Sequence, residues 1–104
     1  MKVIFDNPYL EDLYESPKVA GKPKFSPSVI KGFKEAIKTI KFIGSSQDLY
    51  RLKSLHFEKL KGDLNGYHSI RIDKKYRLIF SIEKDEILIQ EVIIIDDLTN
   101  HYGD

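Results

Sequence analysis

The spacing of apolar residues changes along this chain, and that change is what most restricts its fold. Between residues 29 and 43 apolar residues recur at helical spacing, directly after Ser26-Pro27, a pair typical of a helix start. In Tyr67–Asp73 and Tyr76–Ile82 they alternate with polar residues, which indicates strands with one face in the core. A long helix followed by strands predicts an α+β domain, with the helix packed on an antiparallel sheet.

Shorter elements complete this prediction. Lys2–Phe5 is expected to form a strand, and Asn7-Pro8 to begin a short helix. Ser46 is expected to cap a second short helix within residues 45–53. Glu86–Ile95 is apolar at nearly every position, so it is predicted to be the third strand of the meander, either central in the sheet or covered on both faces.

The length of 104 residues fits one domain that spans the whole chain, residues 1–104. The absence of cysteine excludes disulfides and thiolate metal sites. No apolar run reaches the length of a membrane span, and the first residues lack the apolar core of a signal peptide. A cytoplasmic protein without a membrane association is therefore the expectation.

Charge is strongly segregated along the chain, although the formal net charge is only +1. Residues 51–77 carry eight basic and three acidic side chains, whereas residues 78–104 sum to −6. Such separation predicts a polyanionic partner for the basic stretch. Lysines on a helix are commonly just solvated, so the arginines, whose planar guanidinium matches a phosphate, are the stronger indication of such a partner.

Two of these arginines, Arg71 and Arg77, flank the connection between the alternating strands. A three-residue loop at 74–76 would pair Asp73 with Arg77 and gather the apolar residues of both strands on the core face. That register predicts both guanidinium groups on the open face of the sheet, about 7–8 Å apart as diagonal neighbours. It also predicts an ion pair between Asp73 and Arg77.

Several segments resemble the RelE/HigB toxins of bacterial toxin–antitoxin systems. The matching pieces are Phe57–Asp63, Gly66, Ser69–Ile72 and Tyr76–Phe80, and the ending Asp97–Tyr102 resembles the family's C-terminus. The resemblance implies a compact RelE-like α+β fold and metal-independent cleavage of messenger RNA in the ribosomal A site. It also implies a cognate antitoxin, HigA-like or other, as partner. Many relatives are markedly basic, whereas this chain is nearly neutral, so positioning by the ribosome is expected to replace tight binding of free RNA.

The same resemblance implies the site residues. The catalytic candidates are His56, Lys59, Arg71, Arg77, His101 and Tyr102, and the candidate RNA contacts are Lys53, Lys61, Lys74 and Lys75. RNA supplies its own nucleophile, the 2′-hydroxyl, so the protein must move protons and stabilise charge on the phosphate. Imidazoles suit the first task and guanidinium groups the second, with no metal or cofactor required.

Other functions remain open at this point. The same fold could carry a ParE-like gyrase poison, or a catalytically silent module that only captures an antitoxin. The proton-transfer candidates favour RNA cleavage over gyrase binding, since a gyrase binder has no use for them. His68 is expected to be structural, because alternation places it on the same side of its strand as Ile70.

Overall fold

Residues 1–17 and 23–101 are described by a computed structural model, and they form three helices and five strands. The elements in chain order are β1 Lys2–Phe5, α1 Pro8–Glu15, α2 Pro27–Phe42, α3 Gln47–Arg51, β2 Glu58–Lys59, β3 His68–Arg71, β4 Arg77–Asp85 and β5 Gln90–Thr99. Short 3₁₀ turns at Lys53–Leu55 and Gly62–Leu64 flank β2. The predicted α+β class is confirmed.

Local side chains start the two longer helices, as the sequence predicts. The Asn7 carboxamide oxygen accepts the Leu10 N–H at 3.2 Å, and the Ser26 hydroxyl accepts the Val29 N–H at 3.3 Å. Ser46 is the N-cap residue of α3, as predicted, but its side chain makes no capping hydrogen bond to the helix. Ser46 instead donates its N–H and hydroxyl to the Glu91 carboxylate at 2.7 and 2.6 Å, since a charged acceptor makes the stronger hydrogen bond.

The sheet has the strand order β1-β5-β4-β3-β2. The predicted antiparallel meander is present as β3, β4 and β5, and β2 adds an antiparallel edge to β3. β1 pairs in parallel with β5, from Lys2 opposite Val92 to Phe5 opposite Ile95. The beginning of the described chain therefore covers the other edge of β5, a pairing that local patterns cannot predict.

The core lies between one face of this sheet and the helices. Phe33, Ile37 and Ile40 of α2 are fully buried, and so are Ile70 of β3 and Phe80 of β4. The stripe predicted for α2 is thus the face that packs on the sheet. Burial of this apolar surface is the main force that holds the helical layer against the strands.

A bulge in β5 determines which side chains face away from the core. The pairing passes from Ile79 opposite Asp97 to Phe80 opposite Ile95, so Asp96 is an extra residue. Alternation changes phase there, which lets Ile95 and Leu98 both point into the core. The same phase change places Thr99, the partner of Arg77, on the opposite face.

The boundary predicted for the last strand of the meander is wrong. Glu86–Ile95 was expected to be strand throughout, but residues 86–89 form the turn between β4 and β5. Ile87 and Ile89 are 91% and 90% exposed. Core pairs such as Phe80 with Ile95 and Ile82 with Ile93 align the hairpin, and this alignment leaves Ile87 and Ile89 beyond the helical layer.

His68 lies within an aromatic stack, as expected of a structural residue. Its ring centroid is 5.5 Å from that of Phe57 and 6.0 Å from that of Phe80, and both pairs are stacked. Its buried Nδ1 has no hydrogen-bond partner among the described residues. Burial lowers the pKa of His68, and the charge of Lys59 lowers it further.

This lowered pKa predicts a pH dependence of stability. The unfolded chain binds a proton at His68 below about pH 6.5, before the folded chain does, so the free energy of unfolding falls as the pH drops through that value. We expect His68→Phe to remove this component and to lose less stability than wild type between about pH 7.5 and pH 5.5. Urea unfolding of both proteins at the two pH values measures this loss in the free energy of unfolding. Exposed His101 offers the control, because His101→Gln should keep the wild-type difference.

Candidate functional site

Arg71 and Arg77 face each other directly across β3 and β4. The predicted three-residue loop and its pairing of Asp73 with Arg77 are wrong, because five residues, 72–76, separate the paired arginines. The Asp73 carboxylate folds the loop instead, accepting the N–H groups of Lys75 and Tyr76 at 2.8 and 2.7 Å. The real register differs by two residues from the predicted one, so both arginines still share a face.

Arg77 is buried on that face, at 8% exposure, and the prediction of an open position for it is wrong. Its Nε donates to the Ser69 hydroxyl at 2.7 Å, and an Nη donates to the backbone carbonyl of His56. Glu58, and not Asp73, provides a carboxylate oxygen at 3.6 Å from one of its Nη atoms. The segment before β2 folds over this arginine, which is why strand alternation alone suggested exposure.

A guanidinium group stays charged when it is buried, so Arg77 requires such partners. Ser69 is fully buried and supplies a neutral acceptor, while half-exposed Glu58 supplies the opposite charge at the rim. Because the His56 carbonyl is also an acceptor, the position of Arg77 is coupled to the backbone of His56. Arg77 therefore acts as a structural anchor beneath this face of the sheet.

His56 lies at the surface, at the end of the 3₁₀ turn Lys53–Leu55. Its backbone is in the left-handed region with φ 47°, which is uncommon for a residue other than glycine. The imidazole Nε2 is 3.3 Å from an Nη of Arg71. A guanidinium only donates, so this hydrogen bond requires an unprotonated Nε2 with the ring proton on Nδ1.

Arg71 is the arginine that a ligand can reach, since it is only partly buried. Its Nε donates to the Asp73 carbonyl at 3.2 Å, which orients the guanidinium toward His56. The predicted convergence of two arginines beside an imidazole is therefore found, with unequal burial of the two. Arg71 and His56 form the exposed part, and Arg77 forms the buried part; we call these three residues the His–Arg cluster.

Lys59 does not join the His–Arg cluster. Glu58 pairs with Ser69, whose hydroxyl bonds Arg77, so Glu58 shares the face of the cluster. Lys59 is the next residue along β2 and pairs with His68, which places it on the opposite face. Lys59, a catalytic candidate that the family resemblance implies, is thus directed away from Arg71.

The other candidates lie around the cluster at the surface. Lys53 begins the turn that ends at His56, Lys74 and Lys75 lie in the loop after Arg71, and all three are exposed. Lys61 is also exposed, two residues beyond β2.

The C-terminal candidates follow β5. Exposed His101 comes two residues after Thr99, which pairs with Arg77, and the His101 N–H donates to the Thr99 hydroxyl at 2.9 Å. His101 thus lies at the same end of the sheet as the two arginines. Tyr102 falls outside the described residues.

Sequence reasoning missed two members of this site, Ser69 and Glu58. Spacing could have found Ser69, because it precedes Arg71 by two residues on one strand and so shares its face. Glu58 is one of only three acids between residues 51 and 77. Within residues 1–17 and 23–101, no group of three or more histidine or carboxylate side chains is placed to hold a metal ion, and no helix there could cross a membrane.

Comparison with known proteins places this sequence in a family. The family model described as "RelE-like toxin of type II toxin-antitoxin system HigB" matches residues 3–93, a range that includes the whole His–Arg cluster and ends before His101. The toxin HigB-1 of Vibrio cholerae serotype O1 is 34% identical over 83 residues, which cover 77% of this chain and 82% of that protein.

Solved structures share the fold at lower identity. A YoeB/ParE toxin from Agrobacterium tumefaciens is similar with a TM-score of 0.59 and 19% identity, over 98% of this chain and all of that one. The YoeB chain of a YoeB–YefM complex from Staphylococcus aureus is similar with a TM-score of 0.54 and 24% identity, over 98% of both chains. These likenesses support the fold, and the family match extends over most of the sequence. The chain therefore belongs to the HigB-like family of RelE-like toxins of type II toxin–antitoxin systems.

Proposed function

We propose that this HigB-like toxin is an endoribonuclease that cleaves messenger RNA in the ribosomal A site. One observation carries the proposal, the contact between the exposed His56 Nε2 and the Arg71 guanidinium at 3.3 Å. This contact brings together a proton acceptor and a phosphate-binding cation at the surface. Both groups are needed when a 2′-hydroxyl attacks the phosphate. The site of action would be the cytoplasm, where ribosomes translate.

In this mechanism the scissile phosphate binds to Arg71 and draws the guanidinium away from His56. Nε2 of the neutral ring, in the tautomer with its proton on Nδ1, is then free to accept the 2′-hydroxyl proton; the same tautomer can accept a hydrogen bond from Arg71. The 2′-oxygen attacks phosphorus, the bond to the 5′-oxygen breaks, and the products are a 2′,3′-cyclic phosphate and a 5′-hydroxyl. A second group must protonate the leaving oxygen. His101, at this end of the sheet, is one candidate, and Tyr102, the next residue in the sequence, is the other.

Arg77 has a different role in the proposal. It is nearly buried and bonded to Ser69 and to the His56 carbonyl, so it holds the His56 backbone in its left-handed conformation. Its charge also strengthens the positive potential under the bound phosphate. Arg77 is therefore a positioning residue, and Arg71 is the phosphate ligand.

Binding along the RNA would use the exposed lysines around the cluster, Lys53, Lys61, Lys74 and Lys75. Residues 51–77 have a formal charge of +5, yet the whole chain has only +1. A local positive surface of this size favours contacts with a few phosphates over tight binding to free RNA. The ribosome would then hold the codon in place.

The partner in this proposal is a cognate antitoxin. A relative of the same fold from Staphylococcus aureus has been solved as a YoeB–YefM complex. The lysines on the outer face of α2 and the basic surface around Arg71 would attract acidic segments of such a protein. A gyrase poison or a silent antitoxin-binding module would need neither Nε2 as an acceptor nor the contact with Arg71.

The proposal predicts a specific product pattern. Purified chain added to ribosomes stalled on a defined messenger RNA should cut within the A-site codon and leave 5′-hydroxyl ends, as sequencing of RNA ends would show. Arg51→Ala is a matched control that removes an exposed arginine outside the cluster, and it should cut normally. Uncut RNA would contradict the proposal, and double-strand DNA breaks in arrested cells would support gyrase as the target.

A further inference from the structure

The turn between β4 and β5 presents three aliphatic side chains to solvent. Ile87, Leu88 and Ile89 are 91%, 58% and 90% exposed. The Asp85 carboxylate accepts the N–H groups of Ile87 and Leu88, each at 3.0 Å, so the turn has a defined shape. Ile89 has φ 52°, a conformation that a β-branched residue rarely adopts. The chain thus maintains an apolar tip at a conformational cost.

A groove lies beside this tip. It has a volume of about 460 Å³ and is lined by Gly44, Ser45, residues 84–86 and residues 89–91. We call Ile87, Leu88 and Ile89 with this groove the hairpin surface. Exposed large apolar residues grouped in this way are typical of interaction sites.

The charges around the hairpin surface are mainly negative. Residues 83–91 contain four carboxylates and one lysine, a formal charge of −3. Such a rim repels RNA and anionic lipid headgroups. It also opposes a symmetric contact with a second copy of the chain, which would bring two acidic rims together. A partner that fits this surface has apolar side chains that cover the tip and lysine or arginine side chains that pair with the surrounding carboxylates.

We propose that the hairpin surface docks a basic amphipathic segment of a partner protein. The inference rests on the proposed function in one respect, that this partner is the cognate antitoxin. Arg77 begins β4 and Asp85 ends it, so the hairpin surface lies about 26 Å along the strand from the His–Arg cluster. A segment docked there leaves His56 and Arg71 uncovered, so it anchors the partner without filling the site.

The test uses two helical peptides of about 18 residues that share a leucine face, with lysine or glutamate at the polar positions. Fluorescence anisotropy with the full chain should show binding of the lysine peptide and none of the glutamate peptide. Amide NMR shifts should be confined to residues 44–45 and 83–91. The double variant Ile87→Ser, Ile89→Ser should weaken binding about tenfold or more, whereas Ile4→Ser, a change at another exposed isoleucine, should not.

Equal binding of both peptides, NMR shifts mapped to the lysines of α2, or undiminished affinity in the double variant would each overturn the inference. Concentration-dependent dimerisation that the double variant abolishes would assign the hairpin surface to a second copy instead. The double variant should still cut RNA on ribosomes. Failure of peptide binding with intact cleavage would reject only the docking surface, and binding without cleavage would reject only the proposed enzyme activity.

Discussion

His56→Gly is expected to lower the rate of RNA cleavage on ribosomes by about 100- to 10,000-fold, the usual contribution of a general base. The fold should persist, because glycine adopts the left-handed backbone of this position without strain and the backbone carbonyl still accepts from Arg77. The free energy of unfolding should change by less than about 1 kcal/mol. Single-turnover cleavage and urea unfolding measure the two quantities.

Added imidazole distinguishes a catalytic role for His56 from a structural one. The vacated volume beside Arg71 should admit the free base and restore part of the cleavage in His56→Gly, in proportion to the concentration of neutral imidazole. His68→Phe provides the matched control, since it removes a histidine from the aromatic stack outside the cluster and should retain cleavage. A fully active His56→Gly protein would show that another group takes the 2′-hydroxyl proton.

The elements of this fold that local chemistry determines were predictable from the sequence. Caps such as Asn7 and Ser26 act within a single helical turn, and the stripe on α2 depends only on spacing. The pairing of β1 with β5 joins residues about 90 positions apart, and no local pattern specifies it. This pairing becomes visible only in the three-dimensional structure of the sheet.

The apolar composition of residues 86–95 led to a wrong boundary for β5, which begins at Gln90. Ile87 and Ile89 are as apolar as Ile93, but only Ile93 lies over the helical layer. The start of β5 is set by core pairs such as Ile82 with Ile93, which align the hairpin. It is also set by the Asp85 carboxylate, which accepts backbone N–H groups of the turn. Composition cannot distinguish a buried aliphatic run from one maintained at the surface.

The sequence predicted that the two arginines share one face of the sheet, but it did not predict that Arg77 is buried there. Counting residues placed Arg71 and Arg77 on one face even though the loop length was wrong, because a register error of two preserves facing. The burial of Arg77 depends on a segment about 20 residues earlier, which folds over it and supplies the His56 carbonyl. Strand alternation contains no information about such a cover.

The two arginines are therefore expected to differ when each is replaced by alanine. Arg71→Ala should lower cleavage by about 100- to 1000-fold, since it removes the group that stabilises charge on the phosphate, with little change in stability. Arg77→Ala should lower cleavage too, and should also destabilise the fold by on the order of 1–3 kcal/mol. The added cost arises because the buried Ser69 hydroxyl and the His56 carbonyl lose their hydrogen-bond partner.

Ser69→Ala tests the coupling that underlies this difference. It removes the acceptor for Arg77 Nε without touching the exposed surface, so we expect cleavage to fall through a misplaced His56 while KM for the programmed ribosome stays near the wild-type value. Ser69→Thr keeps the hydroxyl and should recover activity if the buried site accepts the extra methyl group. Stability equal to wild type in Arg77→Ala, or a raised KM as the sole effect of Ser69→Ala, would contradict an anchoring role and make Arg77 a second ligand of the phosphate.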